Sequence, residues 1–213
     1  MKYKEVTQEI LDNGYCMFPS HFEITNKIVE IANTLMIDQN YKVGRAYRTD
    51  DPSHLAEDLL SLVCNKDIKE IFNTLCVNIK CQDIFITHEY KNNEMERNNW
   101  LHFDRLRCLK AMVYLTDVDE DCGPFSLVPQ SHKKGYGLRN NFRSGLSYKN
   151  KSNRIKLDYP HLYETPLKLC GGKGTLILFD TDVFHKGGDV CDNKNRKLIR
   201  SHWYPNHTWR EAS

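Results

Sequence analysis

The first 77 residues carry a hydrophobic pattern of helical period. Between Ile24 and Met36 the apolar residues recur at the spacing of an amphipathic helix, at Ile24, Ile28, Ile31, Ala32 and Leu35. A further helix is predicted over residues 4–13, where the following Gly14 is typical of a helix C-terminus. Residues 54–64 and 67–76 are interpreted as two more helices. The N-terminal region is therefore predicted to be helical.

After Val77 the pattern changes to short β-rich runs separated by Gly and Pro. Strands are predicted over residues 78–90, 109–117, 125–129, 166–170, 174–180 and 197–204. Helices followed by strands predict a mainly β fold of the α+β class. We expect one domain over residues 1–213, in which residues 78–205 form a double-stranded β-helix, a jelly roll of the cupin type, and residues 1–77 form a helical buttress.

Three side chains have the chemistry of an iron site. In an extended strand, residues i and i+2 face the same side about 6.6 Å apart, so His102 and Asp104 can turn toward one ion. His185 follows the strand-like run 174–179 and supplies a third ligand. Two imidazoles and one carboxylate are typical of non-haem Fe(II) that works with O₂. An isolated His-x-Asp is more often an ordinary surface feature, but here the ligands adjoin predicted strands.

Four stretches resemble the phytanoyl-CoA dioxygenase family of Fe(II)/2-oxoglutarate-dependent oxygenases. They are Trp100–Asp104, Tyr114–Phe125 with its acidic turn and Gly-Pro, Leu127–Lys133, and Gly174–Tyr204. Together they span roughly residues 78 to 205. Two departures from the family pattern are the inserted Leu101 and the Gln130 that replaces a Gly. The resemblance implies that His102, Asp104 and His185 are the catalytic metal ligands.

The resemblance also implies a site for the co-substrate 2-oxoglutarate. Arg196 lies eleven residues after His185, and a guanidinium can pair with a carboxylate through two parallel hydrogen bonds. We therefore expect Arg196 to bind the distal carboxylate. Arg200 shares its strand face and is the alternative. Tyr90 and Asn99 are further candidate contacts.

The function that this resemblance implies is hydroxylation of an unactivated C–H bond in a small-molecule substrate. The reaction would consume O₂ and 2-oxoglutarate and release succinate and CO₂. Asp104 favours hydroxylation or another oxidation over halogenation, because related halogenases carry a small residue at that position. Two alternatives remain open: a cupin-like metal-binding protein or isomerase that does not use 2-oxoglutarate, and a structural jelly roll with a vestigial triad.

Composition narrows the function classes. The net charge of +2 gives no indication of a nucleic-acid partner. The 8 cysteines form no C-x-x-C pair and are interpreted as reduced thiols. No apolar run is long enough for a signal sequence or membrane span, so we expect a cytoplasmic protein without a membrane partner.

One segment stands out by its charge. Residues 133–156 contain eight Lys and Arg and no Asp or Glu. Such a run is most simply a solvated loop. Alternatively, a long connection in a barrel can act as a lid, and this one would then favour an anionic substrate through Arg139, Arg143 and Arg154.

Overall fold

The computed structural model describes residues 3–36, 40–41, 44–91, 100–143 and 153–205. The helices are α1 (Tyr3–Asn13), α2 (Asn26–Leu35), α3 (Glu57–Val63), α4 (Lys66–Leu75), α5 (His132–Arg143) and the single-turn α6 (Ile155–Asp158), with 3-10 turns at Pro52–His54 and Pro160–Leu162. The strands are β1 (Tyr15–Phe18), β2 (Asn40–Tyr41), β3 (Gly44–Thr49), β4 (Ile79–Tyr90), β5 (Leu109–Tyr114), β6 (Ser126–Leu127), β7 (Leu167–Lys168), β8 (Leu176–Asp180), β9 (His185–Lys186) and β10 (Asn195–Pro205).

Two antiparallel sheets make the body of the fold. The large sheet has seven strands in the order β1-β8-β5-β10-β4-β3-β2, and the small sheet has three in the order β7-β6-β9. Isolated bridges join His102 to both His185 and Arg154, which adds the chain around His102 to the small sheet. The predicted jelly roll is confirmed. Among the described helices, none is long and apolar enough to span a membrane.

Each face of the large sheet buries apolar side chains. On the outer face, Trp203 of β10 packs edge-on against Phe72 of α4, with 5.6 Å between the ring centroids. On the inner face, Leu198 of β10 packs with Tyr114 of β5 and Leu127 of β6. Because successive residues of a strand face opposite sides, β10 packs against the helices on one face and lines the space between the sheets on the other.

Capping residues explain where two of the helices begin. The Thr25 hydroxyl accepts from the Ile28 N–H at 3.4 Å before α2, and the Asn65 side chain accepts from the Ile68 N–H at 3.0 Å before α4. Each cap satisfies a donor that the first helical turn leaves without an intrahelical partner. Gly14 ends α1 at φ 85°, as predicted.

The N-terminal region is not only helical. Its four predicted helices are present as α1 to α4, but residues 15–18, 40–41 and 44–49 form β1, β2 and β3 of the large sheet. The prediction of a purely helical buttress was therefore wrong for these three segments. β1 and β2 are too short to show an alternating pattern, and β3 alternates without a clear apolar face.

The basic segment also differs from the predicted loop. Its first part is α5, where Arg139 is 6% exposed and forms an ion pair with Asp182. Lys134 of the same helix pairs with Glu164 at 2.6 Å. These two cations therefore have structural partners, whereas residues 144–152 lie outside the described part, as does the side chain of Arg143.

A buried ionic cluster fixes α5 to the chain just before His185. Asp182 lies between Arg139 and Arg107, whose Nε is 3.1 Å from Asp182 Oδ2. Arg107 also pairs with Asp180 at 2.5 Å. Since the Asp182 side chain is completely buried, the Arg139 guanidinium depends on it for charge compensation, whereas Arg107 shares its charge between Asp182 and Asp180.

We predict that Asp182→Ala lowers the free energy of unfolding by about 3–5 kcal/mol, because Arg139 loses its buried counter-charge and Arg107 loses one of its two. Urea unfolding followed by circular dichroism measures the change. The matched control is Asp58→Ala, which removes the partner of Lys27 in an exposed ion pair of 2.6 Å and should cost less than about 1 kcal/mol. Equal losses in the two variants would contradict a special role of the cluster.

Candidate metal centre

The structure brings His102, Asp104 and His185 together. One ligand atom from each lies within 4.8 Å of the others. Asp104 Oδ1 is 3.7 Å from His102 Nε2 and 3.5 Å from His185 Nε2. Two imidazole nitrogens and one carboxylate oxygen thus converge on one point, which is the arrangement that the sequence predicted.

Backbone hydrogen bonds hold the three ligands in register. The His102 N–H donates to the His185 carbonyl at 2.9 Å, and the His185 N–H donates to the His102 carbonyl at 2.7 Å. The Asp104 N–H donates to the Thr181 carbonyl at 3.0 Å. Residues that exchange both hydrogen bonds in this way have side chains on the same face, so the two imidazoles must point to the same side.

Each imidazole is also oriented by a carbonyl two residues before it. His102 Nδ1 lies 2.6 Å from the Trp100 carbonyl, and His185 Nδ1 lies 2.7 Å from the Val183 carbonyl. A carbonyl only accepts, so each Nδ1 carries the proton and each Nε2 keeps its lone pair for a metal.

The charges in the site suit a divalent cation. Burial lowers the pKa of His102 to about 4, so that this ring is neutral near pH 7. Burial opposes ionisation of Asp104, but Lys110 and the two histidines outweigh it and hold the pKa of Asp104 well below its usual value. Neutral imidazole and ionised carboxylate are the protonation states in which these groups bind metals.

Lys110 is a site residue that the sequence analysis missed. It lies on β5, its side chain is 11% exposed, and its Nζ is 2.5 Å from Asp104 Oδ2. Lys110 therefore engages the carboxylate oxygen that faces away from the imidazoles. The sequence signal for it was a single lysine within the otherwise apolar run 109–115.

A cavity of about 170 Å³ adjoins the three ligands. Besides them it is lined by Glu89, Lys110, Met112, Phe125, Phe179, Gly187, Arg196, Leu198 and Arg200. The aromatic and aliphatic side chains form one part of its wall, and the charged side chains of β4, β5 and β10 form the rest.

Both candidate arginines line this cavity. Arg196 is 3% exposed. Its Nη1 donates to the Gly123 carbonyl and its Nη2 pairs with the Glu89 carboxylate. Burial raises the pKa of Glu89, but Arg196 and then Arg200 outweigh it and keep the pKa below its ordinary value.

Each arginine has one donor that no described residue satisfies. The Nε atoms of Arg196 and Arg200 are buried and have no hydrogen-bond partner among the described residues. The Arg200 guanidinium lies over the Phe85 ring at 4.6 Å from its centroid. A buried donor without a partner costs free energy, and the two guanidinium groups that line the cavity give this part of its wall positive charge.

Tyr90 is not among the described residues that line the cavity. Tyr90 is 39% exposed, and its hydroxyl lies 2.8 Å from His88 Nδ1. The β4 register places Glu89 opposite Arg196, so its neighbour Tyr90 faces the other side of the sheet. The structure therefore does not place Tyr90 at the cavity, and its contact with the co-substrate stays a prediction. Asn99 lies outside the described residues.

Comparison with known proteins gives one family and a set of similar folds. The model of the family described as Phytanoyl-CoA dioxygenase (PhyH) matches residues 28–198. No curated protein shows a significant sequence match to the chain.

Similar solved structures include HygX from Streptomyces hygroscopicus with nickel, 2-oxoglutarate and hygromycin B bound, at 15% identity, TM-score 0.64, and coverage of 98% of this chain and 90% of that one. The epimerase SnoN in complex with Fe3+, alpha ketoglutarate and nogalamycin RO has 13% identity, TM-score 0.70, and coverage of 98% and 86%. The carbocyclase SnoK has 13% identity, TM-score 0.63, and coverage of 97% and 86%. At these identities the likeness shows the fold.

We predict that His102→Ala, Asp104→Ala and His185→Ala each weaken Ni(II) binding by more than about 100-fold, because a ligand is lost outright rather than merely disoriented. Calorimetric titration measures the affinity, and circular dichroism verifies that the sheets persist. His54→Ala, which removes an exposed histidine outside the site, is the control and should bind as the unaltered protein does. Unchanged affinity in the Asp104 variant would refute the assignment of the triad.

Proposed function

The chain belongs to the phytanoyl-CoA dioxygenase family, and from this membership we propose that it is an Fe(II)- and 2-oxoglutarate-dependent oxygenase that hydroxylates an unactivated C–H bond of a small molecule. The observation that carries the proposal is the convergence of His102, Asp104 and His185 beside a cavity that also contains Arg196 and Arg200. The family match and the triad support an enzyme of the Fe(II)/2-oxoglutarate class.

His102, Asp104 and His185 would hold Fe(II), and Arg196 would bind the distal carboxylate of 2-oxoglutarate. When bound, iron and 2-oxoglutarate supply the oxidising power for an O₂-dependent hydroxylation that releases succinate and CO₂. The use of a metal with 2-oxoglutarate is supported by HygX and SnoN, whose structures contain a metal and this co-substrate, named alpha ketoglutarate for SnoN.

The chain's own residues would orient these groups. Lys110 holds Asp104 Oδ2, so that Oδ1 remains for the metal. Glu89 and the Gly123 carbonyl fix the Arg196 guanidinium before any ligand arrives. Phe125 and Phe179 are buried in the cavity wall and exclude water from the reacting centre.

Hydroxylation is the outcome that we propose among several that this fold supports. SnoN is an epimerase and SnoK a carbocyclase, so the fold alone does not select the reaction. Asp104 would take the position at the metal where related halogenases have a small residue that makes room for halide, which favours oxygen insertion over halogenation.

One observation favours a second candidate function. Glu89 already neutralises Arg196, and its carboxylate would repel a dicarboxylate at close range. A metal-dependent protein or isomerase of the same fold that does not use 2-oxoglutarate would have no such conflict.

A succinate assay separates the two functions. We expect the protein with Fe(II), 2-oxoglutarate and air to form succinate, faster in the presence of a substrate, and Asp104→Ala to reduce the rate by orders of magnitude. Chromatographic detection of succinate is the measurement. Tight Fe(II) binding with no succinate from any compound of a broad metabolite panel would favour the second candidate.

A pair of arginine variants tests whether Arg196 binds the distal carboxylate of 2-oxoglutarate. Arg196→Ala should raise the KM for 2-oxoglutarate by about ten-fold or more, because a charge-assisted contact of about 1.5–3 kcal/mol is lost. The Fe(II) requirement should change far less, and Arg200→Ala should have the milder effect. Arg48→Ala is the control, since Arg48 pairs with Asp83 at 3.2 Å and does not line the cavity. A larger effect of Arg200→Ala would indicate that Arg200, not Arg196, binds the distal carboxylate.

A further inference from the structure

A second cavity lies next to the metal centre. Its volume is about 360 Å³, within the range of small-molecule sites. It is lined by Trp100, Leu101, Arg154, Lys156, Leu157, Tyr163, Pro166 and Lys186, and we call it the rim cavity. None of these residues lines the metal cavity in the described part of the chain.

The rim cavity is positively charged. Its described lining includes Arg154, Lys156 and Lys186 and no Asp or Glu. Arg154 pairs with Asp158 at 3.7 Å. Neither lysine forms an ion pair with another described residue. Two positive charges in this cavity are therefore uncompensated, which favours an anionic ligand.

Aromatic rings hold two of the cations in place. The Arg154 guanidinium lies over the Trp100 ring at 4.8 Å from the centroid, and Lys156 Nζ lies over the Tyr163 ring at 5.7 Å. Such contacts restrict long side chains before a ligand binds. The cations are thus partly preorganised, which reduces the entropy lost on binding.

The same cavity exposes apolar surface. Leu157 is 58% exposed and Tyr163 is 43% exposed, and Leu167, which follows the lining residue Pro166, is 46% exposed. Neighbouring exposed apolar side chains commonly mark a binding surface. Together with the lysines they suit a ligand with an apolar body and an anionic end.

The rim cavity is joined to the metal site through the strands. Leu101 and Lys186 are the chain neighbours of His102 and His185, and His102 bridges both His185 and Arg154. Bridge partners face the same side, so Arg154 shares a face with His102 while Leu101 and Lys186 face the opposite side. The cavity therefore extends around the edge of the strands that carry two metal ligands.

We propose that the rim cavity binds the anionic end of the substrate, a carboxylate or phosphate attached to an apolar body, and so places the body beside the metal cavity. That the bound anion is the substrate rests on the proposed function, whereas the existence of an anion-binding site does not. In this proposal the anion is recognised by Lys156, Lys186 and Arg154 rather than by the cations of α5.

The first experiment measures binding without turnover. Phenyl phosphate, phenylacetate and the uncharged benzyl alcohol are titrated into the metal-free protein by calorimetry. We expect both anions to bind more tightly than the alcohol, with affinities that fall as salt is added. The phosphate and phenylacetate titrations distinguish the two anion classes.

Charge-neutralising variants locate the site. Lys156→Gln combined with Lys186→Gln should weaken anion binding about ten-fold, whereas Lys66→Gln combined with Lys69→Gln, the same charge change on the exposed side of α4, should leave it unchanged. Equal weakening in both double variants would mean a general charge effect. No binding of either anion by the unaltered protein would also overturn the proposal.

The second experiment uses the holoenzyme with Fe(II) and 2-oxoglutarate. Substrate-stimulated succinate formation is screened with matched acids and methyl esters, and stimulation should be found with the acids and be inhibited by phenyl phosphate. Stimulation only by the esters would overturn the assignment to the substrate. Anion binding without any succinate would instead contradict the proposed function and leave the binding site standing.

Discussion

The two hydrogen bonds between His102 and His185 are the constraint on which the site depends. They join chain segments that are far apart in sequence, and they place two imidazoles on one face with Nε2 of each directed at Asp104. The chain before His185 is in turn fixed by the buried pairs of Asp182. A packed ionic cluster thus fixes the chain three residues before a metal ligand.

Charge balance follows from this arrangement. The metal cavity contains three cationic side chains, Lys110, Arg196 and Arg200, and two anionic ones, Glu89 and Asp104. In the proposed function, Fe(II) brings two positive charges and 2-oxoglutarate two negative ones, so the pair adds no net charge. Either one alone would leave the cavity further from neutrality or reverse its sign. Each is therefore expected to favour the binding of the other.

The sequence predicted the parts of this molecule that follow a local rule. Helical periodicity identified α1 to α4, and the i, i+2 geometry paired His102 with Asp104. The sequence pattern did not identify β1 to β3, of which β1 and β3 pair with the distant strands β8 and β4 and β2 pairs only with β3. It also could not show that Arg139 is buried against Asp182, or that Lys110 reaches Asp104, because both contacts depend on tertiary packing.

Because successive residues of a strand face opposite sides, neighbouring residues of the small sheet line two different cavities. His185 faces the metal cavity while Lys186 faces the rim cavity, and Leu101 and His102 are divided in the same way. A group bound at the rim would therefore lie against Leu101 and Lys186, the chain neighbours of His102 and His185. The two hydrogen bonds between His102 and His185 set the register of this backbone, so the linings of both cavities depend on the same strand register.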